Sequence, residues 1–206
     1  MCSSDLSLFP FTSFTFLPIV SSGSPTGPTL GQMQTAYSGQ PWISSYFTLG
    51  SYQGYQRWTV PSTGNYTITA GGAAGGDGTA VYGGSISRVY GAQISGIFSL
   101  VSGQVLEMVI GSSGGASGGP HGNENGGGGG TFIYNVTTST LLLVAGGAGG
   151  SPSSTYGTSC TRYTSNGQGQ SGNTPGGGLC YSPPGYPTNG YGGLTAGSYM
   201  GGAGGG

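Results

Sequence analysis

Few side chains in this chain of 206 residues can do chemistry. His121 is the only histidine, the acids are Asp5, Asp77, Glu107 and Glu124, and the cations are Arg57, Arg88 and Arg162 with no lysine. A serine relay could be drawn through His121 and Asp77. The hydrolase form of that relay sets its serine on a sharp strand-to-helix turn, however, and no helical period follows any serine here. Zinc would have to be held by His121, Cys160 and Cys180, which lack the close ligand spacing of a zinc site. The acids are too scattered for a glycosidase pair. Asn123-Glu124-Asn125 offers hard oxygen ligands suited to calcium, although such a loop is more often simply solvated. Val144-Ala145-Gly146-Gly147-Ala148-Gly149-Gly150 follows an apolar run, as a dinucleotide-binding turn would. That turn needs a helix next to hold the pyrophosphate, and Ser151-Pro152-Ser153-Ser154 follows instead. The residues point to no catalysis, no metal and no cofactor.

Two further kinds of site are written in the chain. Asn65-Tyr66-Thr67 and Asn135-Val136-Thr137 are acceptor sequences for N-glycosylation at Asn65 and Asn135. Asn65 falls in a turn-like stretch that would tolerate a glycan, whereas Asn135 falls on a strand. Cys160 and Cys180 lie in a segment rich in Ser, Thr and Gly. A disulfide between them would add roughly 3 kcal/mol through loop entropy and would imply an oxidising compartment. The alternative is a pair of free thiols.

Composition narrows the partners. The net charge is −1 and charged residues make up only 3% of the chain. Nucleic-acid binding requires several cations to neutralise phosphates, so that class is excluded. Electrostatic attachment to a membrane surface fails for the same reason. No window of 18 apolar residues exists to span a bilayer, so membrane insertion within this piece is not expected. There are 49 glycines and 12 prolines, a load that approaches low complexity. The 34% of hydrophobic residues, set in clean alternating runs, instead predict one all-β unit with a modest core.

The elements that would position these residues are strands. Residues 42–49 and 55–60 read as two of them, and Pro61-Ser62-Thr63-Gly64-Asn65 as a turn. Tyr66, Ile68 and Ala70 alternate with Thr67 and Thr69 in a third. A short strand is expected over 85–90. Residues 92–100 and 105–110, joined by Val101-Ser102-Gly103-Gln104, read as a hairpin. Thr131 to Val136 alternates with period two and turns through Thr137-Thr138-Ser139 into 140–144. Helix is nearly absent. Residues 1–6, Met-Cys-Ser-Ser-Asp-Leu, look like an adapter-derived scar, which sets Cys2 aside. The apolar run 8–20 is the broken core of a secretory signal or a surface strand interrupted by Pro10 and Pro18. Residues 21–40 look like a linker, so the division is 1–6, 7–40 and 41–206, with the C-terminus expected to be cut.

Between the strands lie blocks of glycine at 71–78, 111–130, 146–150, 167–178 and 190–206. Glycine costs about 1 kcal/mol against alanine in a helix and has nothing to bury in a strand. Such blocks are either floppy linkers or extended helices of polyproline-II type, which make no internal hydrogen bonds and must bond sideways. Lacking Cβ, several could approach closely and add Cα–H···O contacts. The neighbouring strands would anchor their ends.

Trp58-Thr59-Val60-Pro61, Gly64, Tyr66-Thr67-Ile68 and Gly71-Gly72 come first in a recognisable series. Gly96, Phe98, Leu100, Gly103-Gln104, Leu106 and Ile110-Gly111 follow, and residues 126–132 and 141–150 close it. The series resembles the glycine-rich extracellular domain of the anaplastic lymphoma kinase and leukocyte tyrosine kinase type, which also occurs in secreted and surface proteins that are not kinases. The resemblance is clearest over 42–150. It implies a TNF-like, jelly-roll β-sandwich with long glycine-rich insertions packed as polyglycine II helices. It also implies an extracellular place, secreted or at the cell surface. The expected function is a binding or adhesion module with no enzyme activity, meeting a protein or glycan ligand on an uncharged surface, with self-association also open. The alternatives are a structural matrix or wall protein built of polyglycine blocks, and a fragment of a receptor tyrosine kinase ectodomain.

Overall fold

Residues 13–22, 24, 26–76, 90–115 and 126–149 are described by the computed structural model. Two short helices, α1 (Leu30–Ala36) and α2 (Ile43–Tyr46), precede seven strands. These are β1 (Phe47–Leu49), β2 (Gln56–Thr59), β3 (Gly64–Gly71), β4 (Gln93–Leu100), β5 (Val105–Val109), β6 (Thr131–Asn135) and β7 (Thr140–Ala145). They form a five-stranded sheet, ordered β1-β2-β5-β6-β7, and a two-stranded sheet, β3-β4, with every pairing antiparallel. The chain is therefore mostly β, as its alternation predicts.

Period two decides which face is buried. In β5, Leu106 and Met108 turn inward while Val105, Glu107 and Val109 face the other way. In β6 the buried set is Thr131, Ile133 and Asn135, and the larger Phe132 and Tyr134 sit half-buried on the opposite face. Register then lines up Gln56 with Met108, Met108 with Ile133 and Ile133 with Leu143, which makes one continuous buried face. The β3-β4 pair lies against β6 and β7. At the other end of the sheet, Phe16 meets Trp42, Phe47 and Trp58, and Tyr37 meets Phe47.

Three expectations about elements change. Residues 42–49 begin as α2, which buries Ile43, and only then become β1, which buries Phe47. The expected linker contains α1, whose capping box joins Thr29 and Gln32 and whose Met33 is 0% exposed in the core. The hairpin expected between 92–100 and 105–110 is not one: β4 pairs with β3, and β5 with β2 and β6. Its turn bonds to the end of β2, with Val60 N donating to Gln104 O at 2.7 Å and Gly103 N donating to Val60 O at 2.8 Å. The turn thus passes the chain from one sheet to the other. Gly103 takes φ +87, a conformation that side chains disfavour. Of the strand expected at 85–90, all but Tyr90 lies outside the described residues.

The N-terminal residues 13–19 are neither helix nor strand, yet both main-chain groups of one of them, Leu17, are held. Leu17 N donates to the Tyr37 hydroxyl at 2.8 Å, Tyr37 donates to Gln56 Oε1 at 3.0 Å, and Gln56 Nε2 donates to Leu17 O at 2.7 Å. Burial pushes the Tyr37 hydroxyl above its ordinary 10.0, against the smaller opposing pull of its hydrogen bonds to Leu17 and Gln56. The unfolded chain therefore sheds this proton first as pH rises. Stability from Tyr37 is complete below about pH 10 and declines as pH climbs through the folded value. Urea unfolding between about pH 8 and pH 11 should show this alkaline loss, and Tyr37→Phe should flatten it while costing about 1–3 kcal/mol near neutrality. An unchanged alkaline slope in the variant would refute the assignment.

Candidate functional site

Antiparallel register brings the glycine-rich segments together. Gly71, at the end of β3, pairs with Gln93 at the start of β4. The end of β5 pairs with the start of β6 through Val109 and Phe132, and Thr131 pairs with Ala145 at the end of β7. Five chain segments, 72–76, 90–92, 111–115, 126–130 and 146–149, therefore leave the sheets side by side.

None of the five is helix or strand, and they bond laterally. Ala73 N donates to Gly129 O and Gly76 N to Gly126 O, both at 2.9 Å. Gly126 N donates to Gly115 O at 2.9 Å and Gly129 N to Ser112 O at 3.0 Å. Gly114 N closes the triangle on Ala74 O at 3.0 Å. Three residues earlier the equivalent rung runs through a hydroxyl: Gly111 N donates to Thr131 Oγ1 at 3.1 Å, and Thr131 Oγ1 donates to Gly71 O at 2.7 Å. On the other side, Gly128 N donates to Ala148 O, Ala148 N to Ala73 O, Ala92 N to Gly146 O and Gly72 N to Ala92 O, all within 2.8–2.9 Å. Successive donors to one neighbour stand three residues apart, as a three-residue turn requires.

The spacing between segments leaves no room for side chains. A Cβ on Gly111 would land on the Gly129 carbonyl, one on Gly114 on that of Gly126, one on Gly128 on that of Ala73 and one on Gly147 on that of Gly128. The packed object is thus main chain, and its chemistry is that of amide donors and acceptors.

Side-chain chemistry is sparse around it. Among the described residues no three His, Cys, Asp or Glu gather to hold a metal. Arg57 Nε and Glu107 Oε2 form an ion pair at 2.7 Å on the outward face of the large sheet. At that exposure a pair is worth about 0–1 kcal/mol, and it removes two of the few charges from the surface. Tyr52, Tyr90 and Ile97 are large and well exposed. Trp58 is buried in the core, and Tyr66 and Phe98 pack against it half-buried.

Of the acceptor asparagines, Asn65 is exposed on β3, where its Oδ1 accepts from Ser99 Oγ at 2.8 Å. Asn135 is 2% exposed; its Nδ2 donates to Gln104 Oε1 and its Oδ1 accepts from Thr138 N. Glu107, the one acid among the described residues, is placed beside Arg57. Asp77, His121, Glu124, Cys160 and Cys180 lie outside the described residues. The Gly111–Thr131–Gly71 bridge and the Leu17–Tyr37–Gln56 ring were not visible in the sequence, because neither Thr131 nor Gln56 stands out from neighbouring strand residues.

No family model matches the chain. Over 53 residues it is similar to a receptor. That protein is the leukocyte tyrosine kinase receptor of Mus musculus, 45% identical over a stretch covering 26% of this chain, and this chain spans about 6% of the receptor's length. No helix among the described residues is long and apolar enough to cross a membrane.

The lattice makes an opposed pair of glycine substitutions informative. Gly128→Ala should destabilise by about 1–3 kcal/mol, since the new methyl meets main chain that cannot step aside. Gly31→Ala, in α1 with open space around it, should stabilise by about 0.5–1 kcal/mol. Chemical denaturation of both variants checks the contrast; equal effects would mean that the segments are not held at the described spacing.

Proposed function

We propose that this chain is an extracellular, glycine-rich module that binds or adheres and performs no catalysis. The observation that supports the reading is the lateral bonding of the five segments, which turns flexible sequence into a held surface of amides with almost no charge. The three-residue rungs support a description of the segments as polyglycine II helices, and the two sheets as a TNF-like, jelly-roll sandwich from which they emerge. With Arg57 and Glu107 neutralising each other, exposed Tyr52, Tyr90 and Ile97 are the natural contact groups. Aromatic faces and amides of this kind suit a protein or glycan partner, or a second copy of the chain.

A fragment of a receptor tyrosine kinase ectodomain is the second reading, favoured by the 53-residue likeness to the mouse receptor. Both readings put the chain at or outside the cell surface. On that footing Asn65 is the glycosylated asparagine, because Asn135 is folded into the core, and Cys160 pairs with Cys180.

Saturable binding of the labelled chain to intact cells tests the function. An uncharged recognition surface predicts a Kd that changes less than about threefold between 50 and 500 mM salt, a range over which charge-driven binding is screened. Binding should weaken when Tyr52 and Tyr90 are both replaced by alanine. Steep salt dependence, or no saturable binding, would count against the proposal. Expression through a secretory pathway tests the location: a glycosidase-sensitive mobility shift should vanish in Asn65→Gln and persist in Asn135→Gln, and the absence of any shift in the parent chain would remove the glycan assignment.

A further inference from the structure

The N-terminal residues 13–19 are bound as a peptide ligand would be. Phe14 meets Tyr37 and Trp42 edge-on, with ring centroids 5.3 and 4.7 Å apart, and Phe16 lies among Tyr37, Trp42, Phe47 and Trp58. The next residue, Leu17, is read through its main chain: its N–H by the Tyr37 hydroxyl and its carbonyl by Gln56 Nε2. Tyr37 and Gln56 are 4% and 1% exposed. A side-chain amide and a hydroxyl that together satisfy the N–H and the C=O of one residue favour an occupant in the groove over an empty one. Its specificity would be an aromatic, any residue, an aromatic, then the doubly bonded residue, as in Phe14-Thr15-Phe16-Leu17.

A second observation concerns how that occupant is attached. Ile19 has φ 52, a left-handed conformation that β-branched residues seldom adopt. It lies just beyond the anchored peptide, where the chain turns toward α1. Beyond it, Ser22 Oγ donates to the Gly114 carbonyl of the glycine lattice, so the segment touches both halves of the molecule. A segment delivered from elsewhere could fill the groove without forcing Ile19 into this bend.

We infer that the groove lined by Tyr37, Trp42, Phe47, Trp58 and Gln56 is a recognition site for an extended Phe-X-Phe-X peptide, the last residue held by its main chain alone. It is filled here by the chain's own residues 13–19 and is able to take the same segment from a second copy. The inference stands independently of the adhesion reading.

The test uses the full chain with a protease site inserted at Gly23, cut after folding. Labelled peptide of residues 13–20 is then added in excess, and exchange is followed by native mass spectrometry, with circular dichroism reporting the fold. The cut chain should take up the peptide. Uptake should fall at least about tenfold for the peptide with Phe14 and Phe16 replaced by alanine, and at least about tenfold for the uncut chain, whose tethered segment competes at high effective concentration. Gln56→Leu in the cut chain should weaken uptake of the parent peptide. Equal uptake of both peptides, no uptake, or unfolding on cleavage would each overturn the site.

Discussion

The hydrogen bond between amides of neighbouring main chains, made where no Cβ intervenes, is the interaction on which this molecule depends. An extended three-residue turn satisfies none of its own donors, so each N–H must find a carbonyl on another segment or in water. The paired donors Ala73/Gly76 and Gly126/Gly129 repeat at that interval, and each pair is answered by carbonyls of an adjacent segment. Ordering costs about 1–2 kcal/mol per residue and is heaviest for glycine, whereas a hydrogen bond returns only about 0.5–1.5 kcal/mol net. A lattice of this kind does not hold itself together on those terms. Some other part of the chain must fix its ends.

The sheets do so through register. Because β3/β4 and β5/β6 are antiparallel neighbours, the end of one strand and the start of the next lie together, and the end of β7 lies beside the start of β6, so the glycine-rich segments leave from the same side. Main-chain direction, set by the burial of Leu106, Met108, Ile133 and Leu143, aims the glycine-rich segments. A register slip by one residue would invert these faces and misalign the segments. Folding of the strands and ordering of the glycines are therefore coupled through geometry.

Much of the β framework was legible in the sequence. Tyr66, Ile68 and Ala70 announced β3, and the Thr131 and Thr140 runs announced the β6/β7 hairpin, because a half-buried strand writes its period into residue type. The same signal cannot say which sheet a strand joins. The turn at 101–104 looks like a hairpin turn, but its partner is Val60, some forty residues away in sequence. The helix α1 was written in plain form at Thr29 and Gln32 but was masked by the glycines and prolines around it. Lateral bonding among the glycines was legible as an alternative to floppy chain, since both follow from the absence of side chains. The choice of partners was not, since a run of identical residues carries no register of its own.

That missing register is supplied at the boundary by side chains. Thr131, the first residue of β6, is both a strand residue paired with Ala145 and the bridge from Gly111 to Gly71. Its hydroxyl occupies the rung where a direct amide bond would otherwise be required, so one residue fixes the strand and the phase of the lattice together. Ser22 makes a comparable link from the N-terminal segment to Gly114. Small hydroxyl side chains suit this place: they are compact enough to stand among close-packed main chains, and they both donate and accept, as a peptide group does. A repetitive, glycine-rich region thereby acquires a defined alignment from a few non-repetitive residues at its edge, leaving the glycines themselves free to present only amides.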